Sequence, residues 1–551
     1  MATADEPGVT GGDLDARGAT VRSAAVMSTG TLLSRATGVV RVAVTLAALG
    51  VSALSDAYNT ANTTPNIVYE LVLGGILTSV FVPVLVDWAK QHGEAAMWEA
   101  ASRFLTFVLV VLSAVTVIGI VLAPQIMRLY LSGRVGTPAY ADELEIGTFF
   151  LRWFLPQIVF YGLGAIAAGL LTANRRFAAQ MFAPVLNNVA VIVTMLVFIG
   201  IRTSDAPDIA SVTQPQRLLL AAGTTLGVVA MTAALWPALR RLGFRWHLRF
   251  DWRHETLRRL VRLARWVIVY VIANQIAYFV IITFTGHLQE GAYTAYSQAF
   301  IFFSLPHAIV AVSIFTALLP GMSSRWTDRD VSGMRDLFSR GLRDTEIVMI
   351  PAAAGYVVLA GPIVALLASY GAVTPQGTDL LARTLAAFAV GLPFFSAFQL
   401  LTRTYYATQD ARTPALANIA VAVVNLGVDV WLAFGLDLGV PGLALGYAAS
   451  YVAGTAVLSF LLARKLDGAD GRRIAATLAR TVGAAALTAA AAWAAATAVA
   501  GLVDVGRPLM RLLQVATGVA AGVLAFAAGA LIFKIQEADE VRRALATRFR
   551  R

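Results

Sequence analysis

The chain of 551 residues has no cysteine. Disulfides, thiolate nucleophiles and cysteine-ligated metals are therefore excluded. Its five histidines form no His-x-x-His or His-Glu-x-x-His spacing, and no G-x-x-x-x-G-K-S/T loop is present. The sequence thus carries no metal-site motif and no nucleotide-driven engine, and it implies no cofactor. Charge is scarce as well. Only 14% of the residues are charged, where a soluble domain has about a quarter. Lysine is almost missing, with Lys90, Lys465 and Lys534 alone against many arginines.

What replaces charge is apolar surface: 58% of the residues are hydrophobic and the mean hydropathy is +0.71. Apolar runs of about 18 residues or more recur along the chain, each long enough to span a bilayer. They fall at 24–50, 57–87, 104–129, 147–172, 179–201, 217–239, 264–285, 293–320, 345–369, 380–407, 413–435, 440–463, 475–500 and 509–533. The runs are continuous, not alternating, which excludes a β-barrel. The fold class is an all-α polytopic membrane protein of about fourteen transmembrane helices.

The net charge of +11 would suggest nucleic acid in a soluble domain. Here the cations sit between apolar runs, so they set membrane orientation and no nucleic-acid partner is implied. One set of segments holds Arg17, Arg22, Lys90, Arg103, Arg175, Arg176, the cluster from Arg240 to Arg265, and five arginines from Arg325 to Arg343. It continues through Arg403, Arg412, Arg464, Lys465, Arg472, Arg473 and Arg480 to Arg550 and Arg551. The opposite set holds only Arg128, Arg134, Arg202, Arg217, Arg383, Arg507 and Arg511. This asymmetry predicts an even number of spans with both termini cytoplasmic.

The chain also repeats itself 230 residues apart. LLTANRRFAAQMFAPVLNNVAVIV at 170–193 lies over LLTRTYYATQDARTPALANIAVAV at 400–423. The offset covers an even number of spans, so the copies share one orientation. The expected architecture is two parallel six-helix lobes plus two C-terminal helices, an arrangement typical of transporters. The domains are then a disordered cytoplasmic tail (1–23), an N-lobe (24–240), a basic segment (241–263), a C-lobe (264–463), a C-terminal helix pair (464–534) and a basic cytoplasmic tail (535–551). In the basic segment Trp246, Phe250 and Trp252 interleave with arginines. That pattern fits an interfacial helix on anionic headgroups or a plain basic loop with aromatic anchors.

LSRATGVVR at 33–41, SDAYNTANTTPN at 55–66, FVPVL at 81–85, NRRFAAQMFAPVLNN at 174–188 and YYATQDARTP at 405–414 carry a family likeness. Together they resemble the MurJ (MviN) lipid II flippases of the multidrug/oligosaccharidyl-lipid/polysaccharide exporter superfamily. The resemblance covers about residues 24–533. It implies a non-enzymatic inner-membrane transporter with two lobes around a cavity that opens alternately to either side. The implied substrate is an undecaprenyl-linked cell-wall precursor, whose tail lies in a groove lined by the last two helices; membrane lipids and a coupling ion of unstated identity are the other partners. The family's two first-helix arginines correspond to Arg35 and Arg41, and its acidic residue opening the second helix to Asp56. Three other charged positions of the family hold Tyr69-Glu70, Gly74 and Ile301 here. An exporter of another lipid-linked oligosaccharide or a drug–cation antiporter of the same fold is the alternative, and a membrane-embedded glycosyltransferase or scaffold a third.

Arg35 and Arg41 lie about 17 and 25 Å into the first run at about 1.5 Å per residue. Charges at such depth face a wet cavity or a partner, and guanidinium forks suit a pyrophosphate. Six residues apart, they stand about 240° around the helix and meet one ligand only if it bends, with Gly38 as the candidate. Glu70 lies at the depth of Arg41, which makes it a partner for that residue or a proton or sodium site. The substrate-binding candidates are Arg35, Arg41, Asp56 and Glu70. Asn187, Asn188, Asn418, Asn425, Gln275, Gln298 and Asp429 are further polar groups inside spans, mostly interhelical glue. Gly162, Gly164 and Gly169 read as close-packing positions.

Overall fold

The computed structural model describes residues 11–70, 88, 90–174, 176–248, 275–276, 278–468 and 470–537, with side chains from residue 29 onward apart from 68–70. The described chain is helical. Eleven helices are long and apolar enough to cross a membrane, or twelve if the pair Pro375–Val390 and Leu392–Ala407, bent by 47°, is one span. Two of the expected runs, 57–87 and 264–285, extend into residues outside the described set, so a total of fourteen is compatible with this count. The chain separates into two compact units. One comprises residues up to Leu49 and Ala57–Gln275, the other Gly50–Asp56 and Ile276–Arg551.

In the first unit α1 (Gly11–Leu49) and α2 (Ala53–Glu70), whose residues through Asp56 belong to the second unit, are followed by α3 (Glu94–Tyr130), α4 (Tyr140–Phe154), α5 (Gln157–Ala173), α6 (Ala178–Ile201), α7 (Gln214–Ala233) and the short α8 (Trp236–Arg241). α1 is described from Gly11 onward, and residues 1–10 of the expected tail lie outside the described residues. The described face of α1 packs on α6. The contact includes Asn188, whose Nδ2 donates to the Ser34 carbonyl at 3.1 Å and the Thr37 hydroxyl at 3.0 Å. The α1 C-terminus is capped from a distance: Arg202 donates to the carbonyls of Ala47 and Ala48 at 3.0 and 3.1 Å, satisfying groups the helix leaves open. Added β-carbons at Gly162 and Gly164 would meet Leu112 and Thr232, as expected for close packing. Residues 244–248 are not helical, and Trp246 donates to the Thr106 hydroxyl at 3.2 Å and packs on Trp236. The rest of the basic segment, from 249, lies outside the described residues.

The second unit contains α9 (Ala292–Pro306), α10 (Val312–Thr327), α11 (Val331–Ala368), α12 (Pro375–Val390), α13 (Leu392–Ala407), α14 (Arg412–Asp429), α15 (Gly439–Lys465), α16 (Gly471–Leu502) and α17 (Pro508–Ile532). Wider π turns at His307–Ala311 and Val430–Gly435 interrupt two of its spans. The Ala-rich α16 and α17 pack on each other through small residues, Gly529 on Ala484 and Gly522 on Thr488 and Ala492. Both rest on α11, with Ile347 against Ala484, Ala530 and Ile535, and Leu359 against Ala492 and Ala496. Without a hydrophobic effect between helices in lipid, such close backbone approach supplies the association.

The internal repeat takes physical form in both units. Each has a span broken just before the repeated turn, beside Pro156 in one and Pro393 in the other. The first break falls between the end of α5 at Ala173 and the start of α6 at Ala178, the second between Ala407 and Arg412. The ungapped sequence register would place the second at 404–407, so α13 continues about one helical turn further than its counterpart.

The turn at 408–411 explains the YYATQDARTP motif. Tyr405 is buried and its hydroxyl donates to the Leu458 carbonyl at 3.3 Å. Gln409 adopts a positive φ of 59°. Asp410 accepts from the Thr413 backbone N–H at 3.0 Å, the Thr413 hydroxyl at 2.9 Å and Lys465 Nζ at 3.0 Å. Partial burial pushes the Asp410 carboxyl upward, but the Thr413 and Lys465 contacts outweigh it and hold the group below its ordinary range. Its stabilisation is therefore complete above the ordinary value near ~3.9 and is lost as pH falls through the lower folded value. Asp410→Ala is expected to cost about 1 kcal/mol, the usual worth of a helix-capping carboxylate. Thermal unfolding in detergent should show this loss at pH 7 and a shrinking difference from the parent as pH falls through the lowered folded value.

Candidate functional site

The first unit holds the two candidate cations. Counted from residue 24, where the apolar run starts, Arg35 lies about 17 Å and Arg41 about 25 Å along α1. Arg35 is exposed and Arg41 half-buried. The helix runs unbroken through Gly38, so the two guanidiniums leave α1 from different sides, about 240° apart. Gly38 faces the Asn188 amide, which is 3.7 Å from an added β-carbon there. The Asn188 bonds to Ser34 and Thr37 therefore brace α1 between the two arginines, consistent with the glue reading.

Arg41 lies within electrostatic reach of the Tyr58 phenol on α2. Tyr58 is fixed by a 2.6 Å hydrogen bond with the Thr224 hydroxyl and by edge-on contacts with Phe150 and Phe154 at 5.7 and 5.4 Å. This buried aromatic clamp joins α2, α4 and α7, and its hydroxyl gives the α1 face a polar neighbour. Tyr58 lies in the SDAYNTANTTPN segment that carries the family likeness, and nothing in that segment marked the clamp.

Asp56 is placed in the second unit. Its carboxylate accepts from the Thr294 backbone N–H at 2.8 Å, and the neighbouring Ser55 hydroxyl lies 3.1 Å from that of Thr294. Thr294 stands in the first turn of α9, so Asp56 caps that helix from a distant segment and suits its positive end. Glu70 closes α2, and its side chain lies outside the described residues, as does the expected Arg41–Glu70 pair. Within the first unit, then, Arg35 and Arg41 share one helix, while Asp56 serves another unit.

The second unit buries further polar groups. The Asp429 carboxylate is 1% exposed and accepts from Asn425 Nδ2 at 2.9 Å. Gly446 leaves it room, since an added β-carbon would collide with Oδ1. His307, beside the π turn, lies 2.9 Å from the Ser396 hydroxyl and packs on Phe395 and Phe315. No group of three or more potential metal ligands occurs among the described residues.

The family model described as lipid II flippase MurJ matches residues 46–514. A probable lipid II flippase MurJ of Rhizobium meliloti is 29% identical over 416 residues, covering 75% of each chain. The lipid II flippase MurJ of Burkholderia cenocepacia is 28% identical, over 72% of this chain and 75% of its own. Among solved structures, one of lipid II flippase MurJ in an inward closed conformation superposes with a TM-score of 0.73 at 19% identity, covering 92% of this chain and 98% of that one. An inward-facing multidrug transporter of the MATE family superposes with a TM-score of 0.62 at 14% identity, over 80% of this chain and 95% of that one.

Proposed function

The chain belongs to the lipid II flippase MurJ family, and from that premise we propose that it moves lipid II, the lipid-linked peptidoglycan precursor, across the cytoplasmic membrane by alternating access. The observation that carries this reading is the family match over 46–514, which takes in α2 through α16. In this reading Arg35 and Arg41 hold the pyrophosphate. An exposed and a half-buried guanidinium in an apolar helix need an anion, and paired forks match phosphate oxygens. The Tyr58 hydroxyl is a neutral polar group within electrostatic reach of Arg41. Asp56 keeps α9 in place and does not touch the anion. Complementation tests the function: the chain expressed in a flippase-depleted bacterium should restore growth and shape. Lysis despite normal membrane insertion would overturn it.

Both termini lie in the cytoplasm in this reading, supported by the arginine asymmetry. The chain lacks cysteine, so introduced thiols report topology directly. Cysteines replacing Ser204 and Ser332 are expected to react from opposite sides of the membrane, Ser204 from outside. Labelling of both from one side would contradict the assigned orientation.

A further inference from the structure

A groove of about 580 Å³ opens in the first unit, away from α1 and its arginines. It runs along one face of α4 between Pro124 of α3 and the start of α7. Glu145, Thr148, Phe149 and Arg152 repeat on that face at helical spacing. Glu145 is already paired, with Arg217 Nη1 at 2.9 Å. Two arginines against one glutamate leave one net positive charge, and it belongs to Arg152. That residue is exposed and makes no hydrogen bond or ion pair among the described residues. It stands about 18 Å along α4 from Tyr140, in a helix that crosses the membrane, where an unpaired charge is costly. Thr148 lines the same groove, is 9% exposed, and its hydroxyl has no hydrogen-bond partner among the described residues. A cation and a buried donor, both unsatisfied, thus converge on one cavity. Its other walls are apolar and aromatic: Pro124, Phe149 and the half-exposed Trp153.

We propose that this groove binds the phosphodiester headgroup of an anionic membrane phospholipid, with Arg152 and Thr148 on the phosphate and the acyl chains along Phe149 and Trp153. One phosphodiester carries the single negative charge that balances Arg152. Its oxygens supply the acceptor that Thr148 lacks. The apolar walls favour a lipid over a free phosphate, and aromatic rings are at home in the membrane's interfacial zone. The anion also explains how Arg152 is kept within an apolar helix.

The test uses the purified full-length chain in detergent, titrated with phosphatidylglycerol, phosphatidylcholine and soluble glycerol phosphate, with binding read by thermophoresis and by the rise in melting temperature. The parent is expected to prefer phosphatidylglycerol over phosphatidylcholine by about tenfold, the value of one charge-assisted contact. Arg152→Ala should erase that preference and Thr148→Val, close in shape, should reduce it. Arg128→Ala, which removes an exposed arginine of α3 outside the groove, should keep it. The proposal is overturned if Arg152→Ala retains the preference, if Arg128→Ala loses it equally, or if glycerol phosphate binds as tightly as the lipid. Should Arg152→Ala fail to fold, an unchanged preference in Thr148→Val overturns it alone.

Discussion

Replacing Arg343 with alanine is expected to cost about 3–5 kcal/mol of stability, the usual consequence of stranding one half of a buried ion pair. Arg343 of α11 pairs with Glu537, just beyond α17, and both side chains are nearly buried, at 6% and 7% exposure. Arg343 also donates from Nε to the Ser339 carbonyl at 3.2 Å. Nearby, Ile535 is 1% exposed and packs with Ile347 and Ala484. The segment after α17 is therefore held by one apolar plug and one ion pair. Alanine at 343 leaves the Glu537 carboxylate without its cation, so the loss exceeds the net worth of the pair. Replacing both residues together, Arg343→Met with Glu537→Leu, is expected to recover most of the stability, because two desolvated charges are removed at once. Unfolding free energies in mixed micelles decide the matter. A single-variant loss under about 1 kcal/mol would show that the pair is solvated and weak.

The second large effect is on transport. Arg35→Ala and Arg41→Ala are each expected to lower flipping by about tenfold to a hundredfold, the range for losing charge-assisted hydrogen bonds to a phosphate. The two should differ in stability. Arg35 is exposed, so its removal should leave the melting temperature unchanged. Arg41 is half-buried near Tyr58, so its removal should lower the melting temperature slightly. Lysine in place of either keeps the charge but loses the fork, and should restore only part of the rate. Rates are measured with fluorescent lipid II in vesicles, normalised to inserted protein. Full activity in both alanine variants would remove these residues from the substrate site.

The membrane character of the fold was legible because apolar runs long enough to cross a bilayer need no tertiary information. The repeat was legible as well, since Pro184 and Pro414 keep the 230-residue register. The one-turn slip of the second copy was not, because an apolar helix shows no mark where it ends; the end is set by Gln409 and Asp410 in three dimensions. The candidate site was legible in part. Arg35 and Arg41 stood out as charges inside a span, whereas the unbroken course of α1 through Gly38, which keeps them on different sides, did not. Asp56 was read as a site candidate, and its bond to the Thr294 N–H, 238 residues away, was not legible in the sequence. Nothing local marks that bond, just as nothing local marks Arg343 and Glu537 as a pair. Arg152 carried the same signal as Arg35, a charge inside an apolar run, and only the groove beside it says what that charge faces.

The central claim is that this chain carries lipid II across the membrane. It is tested most directly in a flippase-depleted strain that expresses this chain from an inducible promoter, by following how much lipid II becomes accessible to a membrane-impermeant enzyme at the outer face. The account predicts that accessible lipid II collapses on depletion, returns when the chain is induced, and stays low with Arg35→Ala at equal protein abundance. Accessible lipid II that remains low with the parent chain correctly inserted would contradict it.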